Sequence, residues 1–176
     1  MWSDLSEALN LAVSQGYKPR MAALNYAGIF VPVLDHWFIT RPDLVSYFAV
    51  MRENMCPERT MSGVRVATPG VPVMPRMCET HEYFAIPTKG TIAMFAVKVL
   101  SSLGYGKIIL AGVPLDDKTG YFFRAPWETF WMSDATRPHW EEMAEKLRPQ
   151  VRSMSGYTSE LLGKPNKGWL HGGDTQ

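Results

Sequence analysis

The sequence has few residues that could stabilise a fold through disulfide bonds or bound metal ions. Only two cysteines, Cys56 and Cys78, occur among its 176 residues. That is too few for a disulfide framework and is typical of a reducing compartment. Cys78 and His81 have the spacing of half a zinc site, but the sequence holds no second ligand pair to complete it. We therefore expect no bound metal and a cytoplasmic location.

Charge of one sign and long apolar runs are also scarce. The sequence has 18 basic and 17 acidic residues, a net charge of +1, so no electrostatic signal indicates a nucleic-acid partner. The longest apolar run, near residues 92–100, is interrupted by Lys98 and falls short of the ~20 residues that span a bilayer. The first 20 residues include Asp4 and Glu7 and no apolar core, so we expect neither a signal peptide nor a membrane partner.

Large side chains are abundant instead. The sequence contains six Trp, seven Tyr, eight Phe and 11 Met, residue types that fill cores and are also enriched at protein interfaces. Residues 121–131 include six aromatic side chains, with Arg124 and Glu128 as the charges there. Because such an apolar patch is costly to leave in water, we expect a homo-oligomer, with a two-fold dimer as the commonest arrangement.

Apolar periodicity and turn residues predict helices that alternate with short strands. The predicted helices cover residues 3–15, 42–56, 90–103 and 138–148, with one or two helical turns in 156–163. The predicted strands cover residues 21–24, 37–39, 61–67, 83–86, 107–111 and 151–154. Residues 107–111 are apolar without alternation, which is typical of a strand buried in a parallel sheet. We therefore predict an α/β fold, a single three-layer Rossmann-like domain over residues 1–163 with a mostly parallel sheet, and a loose arm over 164–176.

Ligands of open α/β sheets bind beyond the carboxyl ends of the strands. Candidate positions there are Asn25, the turn of Thr88, Lys89, Gly90 and Thr91, and the loop with Gly112, Pro114 and Asp116. The turn at 88–91 opens a helix, where free N–H groups, a glycine and a lysine favour an anion. The alternative is a plain helix cap. The turn does not have the residue order of a P-loop, in which Gly-Lys-Ser/Thr follows an upstream glycine.

Two titratable side chains are candidate catalytic groups. Asp116 follows a Gly-x-Pro turn at a strand end, where a carboxylate can bind ribose or a metal or take part in catalysis. The alternative is a solvated turn. His36 is a candidate general base beside Asp35 or Asp116, and the alternative is a structural histidine next to Trp37. No Gly-x-Ser-x-Gly elbow surrounds Ser155, so a hydrolase triad is not favoured.

Three segments of the sequence resemble one group of Rossmann-like proteins that is common in phages and prophages. They read LNYAGIFVPVLDHWFITRPD (24–43), LGYGKIILAGVPLD (103–116) and VRSMSGYTSELLGKP (151–165). In that group a strand ends in Val-Asn-Asp-Ala, and a later Asp-His-Trp leads to His-Pro-Glu. The group is more distantly similar to bacterial sialyltransferases that use a CMP-sugar and to archaeal-type hydroxymethylpterin diphosphokinases.

The resemblance implies that a transferase-like domain binds a nucleotide or a nucleotide-sugar. It implies that Asn25 contacts the nucleotide. The pocket would be lined by the loops after the strands and by the helix-opening turn, with these residues: Thr88, Lys89, Gly90, Thr91, Gly112, Pro114, Ser155 and Gly156.

Two departures from the pattern of this group leave a second function open. Members begin with an apolar strand and a Gly-rich turn, whereas this sequence starts at Met1 inside that turn, so we expect the sheet to lack the first strand. The expected His-Pro-Glu reads Arg41, Pro42 and Asp43. The alternative function is a catalytically silent phage protein that uses the fold for interaction or assembly. A phage-encoded chain would reside in the host cytoplasm.

Overall fold

The computed structural model describes residues 2–55, 57–58, 61–70, 81–86, 91–116 and 130–173. Helices α1 to α7 span Trp2–Ser14, Ala27–Phe30, Val45–Met55, Ile92–Ser102, Phe130–Leu147, Gly156–Leu162 and Lys167–Leu170. Strands β1 to β6 span Ala22–Leu24, His36–Phe38, Arg65–Pro69, His81–Phe84, Ile108–Leu110 and Val151–Ser153. A 3₁₀ turn, Pro42–Leu44, precedes α3. The predicted α/β class is confirmed.

Contacts divide the chain into two compact units. The central unit is Arg20–Val99, and the terminal unit joins Met1–Pro19 to Leu100–Gln176. Hydrogen bonds between the two ends of the chain explain why Met1–Pro19 belongs to the same unit as Leu100–Gln176. The Tyr17 hydroxyl, for example, donates to the carbonyl of Leu170 at 2.8 Å.

The central unit contains a parallel sheet flanked by helices. Its four strands lie in the order β1-β2-β3-β4, and each neighbouring pair is parallel, as in the register that aligns Ala23, Trp37 and Val66. All three residues of β2 are buried, which agrees with an inner strand covered on both faces. This architecture is consistent with a Rossmann-like fold.

Trp37 organises the core of the central unit. Its ring stacks on Phe48 with the centroids 6.1 Å apart, and its indole N–H donates to the Asn25 carbonyl at 2.7 Å. A Cβ on Gly28 would lie 2.2 Å from the indole. Only glycine therefore lets α2 lie directly against Trp37.

Helix α2 occupies a segment in which the sequence predicts neither a helix nor a strand. The reason is a distant side chain, Arg52, which is 1% exposed. Its guanidinium donates to the carbonyl of Gly28, to that of Val31 at 2.8 Å and to that of Pro32 at 3.2 Å. Arg52 thus satisfies carbonyls that a helix of four residues cannot satisfy internally.

The terminal unit is built around a second, two-stranded parallel sheet of β5 and β6. Its register aligns Ile108 with Val151 and Leu110 with Ser153. Helix α6 follows β6 directly and packs on it. Because β5 and β6 are parallel, the loops that follow them leave the sheet at the same edge.

Residues 164–173 fold onto the terminal unit, in contrast to the predicted loose arm. The Asn166 side chain caps α7 by accepting the Trp169 N–H at 2.9 Å. Trp169 is 1% exposed and lies beside two cations, with Lys107 Nζ 4.6 Å and Arg152 Cζ 5.8 Å from its ring. Burial of one tryptophan is the physical reason that this Gly- and Pro-rich segment is ordered.

Helix α5 begins earlier than the sequence predicts. Pro138 favours a helix start, but the helix starts at Phe130 and holds Pro138 inside it. A proline inside a helix removes one backbone hydrogen bond, but the residues before Pro138 are nevertheless helical in this structure. Most of the aromatic stretch 121–131, which predicts oligomerisation, lies outside the described residues, as do Cys56 and Cys78.

Within the described ranges, no helix has both the length and the hydropathy that crossing a membrane requires.

Candidate functional site

The structure distributes the predicted site residues between the two units. Asn25, His36 and Thr91 belong to the central unit, and the terminal unit holds five others, Gly112, Pro114, Asp116, Ser155 and Gly156. Thr88, Lys89 and Gly90 lie outside the described residues.

The five residues of the terminal unit lie together because they follow two neighbouring parallel strands. Gly112 and Asp116 belong to the loop after β5, and Ser155 directly precedes α6 after β6. The Met154 N–H donates to the Leu110 carbonyl at 2.9 Å, which continues the pairing beyond the strands. We call these five residues together with Asp4 the β5–β6 edge.

Close packing of the two loops depends on Gly156. Its φ is +64°, in the left-handed region that favours glycine. A Cβ at this position would lie 2.3 Å from the Cβ of Pro114. The loop after β5 and the start of α6 can therefore meet only when residue 156 has no side chain.

Asp4 enters the β5–β6 edge from the first turn of α1. Its Oδ2 accepts a hydrogen bond from the Ser155 hydroxyl at 2.6 Å and another from the Gly112 N–H at 3.3 Å. Sequence reasoning assigned Asp4 no site role, because an acidic residue in the first turn of a helix is already explained by the helix dipole. No local signal reveals partners more than 100 residues away.

The N-terminus of α6 is capped by a carbonyl instead of a serine side chain. Ser155 is the N-cap residue and makes no side-chain cap hydrogen bond. The Thr158 N–H donates to the Pro114 carbonyl at 3.2 Å, and the Thr158 hydroxyl bonds to Ser153 Oγ at 2.7 Å and to the Val113 carbonyl. These bonds hold the loop after β5 against α6.

A cation and a strained residue complete the edge. Leu115 has a φ of +49°, a conformation uncommon outside glycine and often found at functional sites. Arg137 Nε donates to its carbonyl at 3.1 Å. The guanidinium of Arg137 also lies 4.9 Å from the ring of Tyr157. The Tyr157 hydroxyl donates to Glu141, and this hydrogen bond raises the pKa of Tyr157.

An open groove of about 540 Å³ adjoins the β5–β6 edge. Glu7 follows Asp4 by three residues and so lies on the same face of α1, and Met154 directly precedes Ser155. The groove is lined by one face of α1 and by the segment before α7, with these residues: Glu7, Asn10, Leu11, Ser14, Met154, Pro165, Asn166 and Lys167.

Asn25 and Thr91 of the central unit have structural roles that account for their positions. Asn25 has a φ of +44°, and its Oδ1 accepts from the N–H of Thr40 at 2.9 Å and from its hydroxyl at 3.2 Å. This joins the loops after β1 and β2. Thr91 Oγ1 accepts the Met94 N–H at 3.3 Å, so Thr91 caps α4, the alternative that the sequence left open.

His36 lies at the amino end of β2, whereas Asn25 and Thr40 follow the carboxyl ends of β1 and β2. The imidazole is buried, and its ring centroid is 6.2 Å from that of Phe38. Burial lowers the pKa of His36, and nearby Arg65 and Arg20 lower it further against the opposing effect of Asp35. The two candidate catalytic groups, His36 and Asp116, thus belong to different units.

Arg41 and Asp43, where the resemblance predicts His-Pro-Glu, form an exposed ion pair. Arg41 Nε donates to Asp43 Oδ1 at 3.1 Å, and Pro42 begins the 3₁₀ turn. In the part of the chain that the structure describes, no group of three or more His, Cys, Asp or Glu side chains is placed to hold a metal ion.

Comparisons with protein-family models, with curated proteins and with solved structures found no match for this chain.

Proposed function

We propose that the terminal unit binds a nucleotide or a nucleotide-sugar at the β5–β6 edge, as a transferase-like domain. One observation carries the proposal. The Asp4 carboxylate is held by Ser155 and Gly112 at the carboxyl ends of two parallel strands, beside an open groove. Ligands of α/β sheets bind in this position. The resemblance to phage Rossmann-like proteins supports the same ligand class.

The groove offers the contacts that a nucleotide requires. Its volume of about 540 Å³ lies within the ~300–1,000 Å³ usual for small-molecule sites. Leu11, Met154 and Pro165 provide apolar surface for a base. Asn10 and Lys167, both exposed, provide an amide for hydrogen bonding and a positive charge for a phosphate.

Binding is the main element of the proposal, and Asp116 is its candidate catalytic carboxylate. Asp116 is half-buried in the loop that follows β5. A carboxylate there is suited to accept a proton from an acceptor hydroxyl during group transfer. His36 has no part in this proposal, because it belongs to the central unit.

The alternative function, a silent interaction or assembly protein, is favoured by one surface of the central unit. On α3, Tyr47 is 50% exposed and Val50 is 55% exposed, and residues three apart lie on one helix face. Adjacent exposed apolar side chains mark interaction surfaces. Under this alternative no nucleotide binds and the groove is unused.

Thermal-shift measurements with CMP, UMP, CDP-sugars and UDP-sugars test the proposal. Ligand at a hundred times its Kd adds about 2.7 kcal/mol to the free energy of unfolding, which is a clear rise in Tm. Asn10→Trp should abolish the rise by filling the groove. Glu145→Trp is the matched control, because Glu145 is exposed on α5 of the same unit and does not line the groove. No rise with any of these ligands at millimolar concentration would contradict nucleotide binding.

A further inference from the structure

We infer that the β5–β6 edge recognises the ribose hydroxyls of a ribonucleotide and not its phosphate, with Asp4 as the specificity-determining residue. The inference rests on the proposed function, and it names the part of the ligand that contacts Asp4.

Three hydrogen-bond donors at this edge are already paired with acceptors of the protein. The Gly112 N–H and the Ser155 hydroxyl both donate to Asp4 Oδ2. The Thr158 N–H, in the first turn of α6, donates to the Pro114 carbonyl. A phosphate binds by accepting hydrogen bonds from such donors, and here each of them already has an internal acceptor.

Asp4 also opposes an anion directly. Its carboxylate lies against the Gly112 N–H, the position that a phosphate oxygen would take at a loop of this kind. Two negative charges at such short range repel each other strongly in a partly buried site. Asp4 is half-buried, so water screens this repulsion only in part.

The second carboxylate oxygen is the free acceptor. Both hydrogen bonds to Asp4 end on Oδ2, and no residue in the described ranges donates to Oδ1. A carboxylate accepts hydrogen bonds through both oxygens. The ligand group that meets Oδ1 must therefore be a donor, and two fixed bonds on Oδ2 orient Oδ1 before the ligand arrives.

Ser155 offers a second acceptor beside the first. Its hydroxyl donates to Asp4, and a hydroxyl that donates still has lone pairs with which to accept. Oδ1 of Asp4 and Oγ of Ser155 are thus neighbouring acceptors. The 2′- and 3′-hydroxyls of ribose are neighbouring donors. A phosphate presents no such pair, and among the bases guanine does so through its N1–H and 2-amino group, which is why the test compares ribo and deoxy forms of each nucleotide. Lys167, which lines the adjoining groove, would then bind the phosphate through its positive charge.

The test compares each ribonucleotide with its 2′-deoxy counterpart, for CMP, UMP, AMP and GMP, by isothermal titration calorimetry. We expect the wild-type protein to bind the ribo form of its preferred nucleotide about tenfold more tightly than the deoxy form, the effect of one good charge-assisted hydrogen bond. Asp4→Asn keeps the shape of the side chain but turns a donor towards the ligand, so the ratio should fall to near one. Glu145→Gln removes the same charge from an exposed position on α5 of the same unit, outside the groove, and should keep the tenfold ratio.

The outcomes separate this inference from the proposed function. Equal binding of ribo and deoxy forms by the wild-type protein would overturn the inference and leave nucleotide binding intact. Absence of binding for every nucleotide would overturn both. Inorganic phosphate that binds the wild-type protein, and binds Asp4→Asn more tightly, would show that Asp4 blocks a phosphate site and would also overturn the inference. The wild-type comparison needs no variant, so it decides the matter even if Asp4→Asn fails to fold.

Discussion

The Ser155 hydroxyl donates to the Asp4 carboxylate at 2.6 Å across 151 residues of sequence, while the helix that Ser155 begins is left without its side-chain cap. A serine at this position ordinarily accepts a hydrogen bond from the first turn of the helix, which is worth ~1 kcal/mol. Departures from such local rules concentrate at functional sites. This pair therefore marks the β5–β6 edge as the candidate functional site of the terminal unit.

A double-mutant cycle measures how strongly Asp4 and Ser155 are coupled. Asp4→Ala and Ser155→Ala should each lower the free energy of unfolding. We expect the double variant to lose less than the sum of the two, by roughly 0.5–2 kcal/mol, as for residues in direct contact. Urea denaturation gives the values. Glu7→Ala paired with Ser155→Ala is the control and should be additive, and a coupling of zero for Asp4 and Ser155 would contradict the hydrogen bond.

Gly156→Ala should destabilise the protein more than an otherwise similar glycine substitution. Gly104 also has a positive φ, +86°, but a Cβ there would meet nothing within 4 Å. Both alanine variants bear the strain of a left-handed backbone, ~1–2 kcal/mol. Only Gly156→Ala adds the collision with Pro114, a further ~1–3 kcal/mol. Chemical denaturation of both variants isolates the steric part, and equal losses would mean that the two loops are not in close contact.

Trp169→Ala should lower the free energy of unfolding by ~3–5 kcal/mol, because it empties a buried site. The side chain is 1% exposed, and its indole N–H donates to the Pro149 carbonyl at 3.1 Å. Trp2→Ala is the matched control in the same unit, since Trp2 is 47% exposed, and it should change stability by no more than ~0.5 kcal/mol. If residues 164–173 were a loose arm, the two variants would be equally stable.

Stability should decrease as the pH falls below neutrality, through His36. Burial lowers the pKa of this imidazole below its ordinary value of 6.5, so the folded state binds the proton less readily than the unfolded state. The contribution is complete above pH 6.5 and is lost as the pH falls towards the lowered pKa. Denaturation at pH 7.5, 6.5 and 5.5 measures the slope. We expect His36→Gln to flatten it and His171→Gln to preserve it, and an NMR midpoint for His36 above 6.5 would contradict the assignment.

Self-association is a further prediction that light scattering can decide. The exposed Tyr47 and Val50 of α3 form an apolar surface of the kind that pairs between copies, and two-fold dimers are the commonest assembly. We expect a dimer at micromolar concentration and a shift towards monomer for Val50→Lys. A single species of 19.9 kDa that does not change on concentration would refute this prediction.

Much of the secondary structure could be predicted because its signals are local. The turn after α1 is one example, since Gly16 adopts a φ of +80° just beyond the helix. The apolar residues 107–111 likewise contain β5, buried at Ile108 and Leu110. Helix α2 could not be predicted in this way, because Arg52, 24 residues further along the chain, binds the Gly28 carbonyl within it and also the Val31 carbonyl at its end.

The candidate site was predictable only in part. Gly112, Pro114 and Asp116 follow from the rule that ligands bind beyond strand ends, and Ser155 and Gly156 follow from the family resemblance. The parallel pairing of β5 with β6 brings all five together. The role of Asp4 at this edge could not be predicted from the sequence. Its role depends on the docking of α1 in the terminal unit, and neither periodicity nor turn chemistry encodes that docking.

By itself the sequence determined most of the helices and strands, with α2 and α7 as exceptions, and hence the α/β class. The reason is that apolar periodicity, glycine and proline act over a few neighbouring residues. Only the tertiary structure decided three other features. It ordered residues 164–173 around Trp169, it grouped the two ends of the chain in one unit, and it brought Asp4 to Ser155. Each of these depends on burial or hydrogen bonding between residues far apart in the chain, a kind of contact that leaves no periodic mark in the sequence.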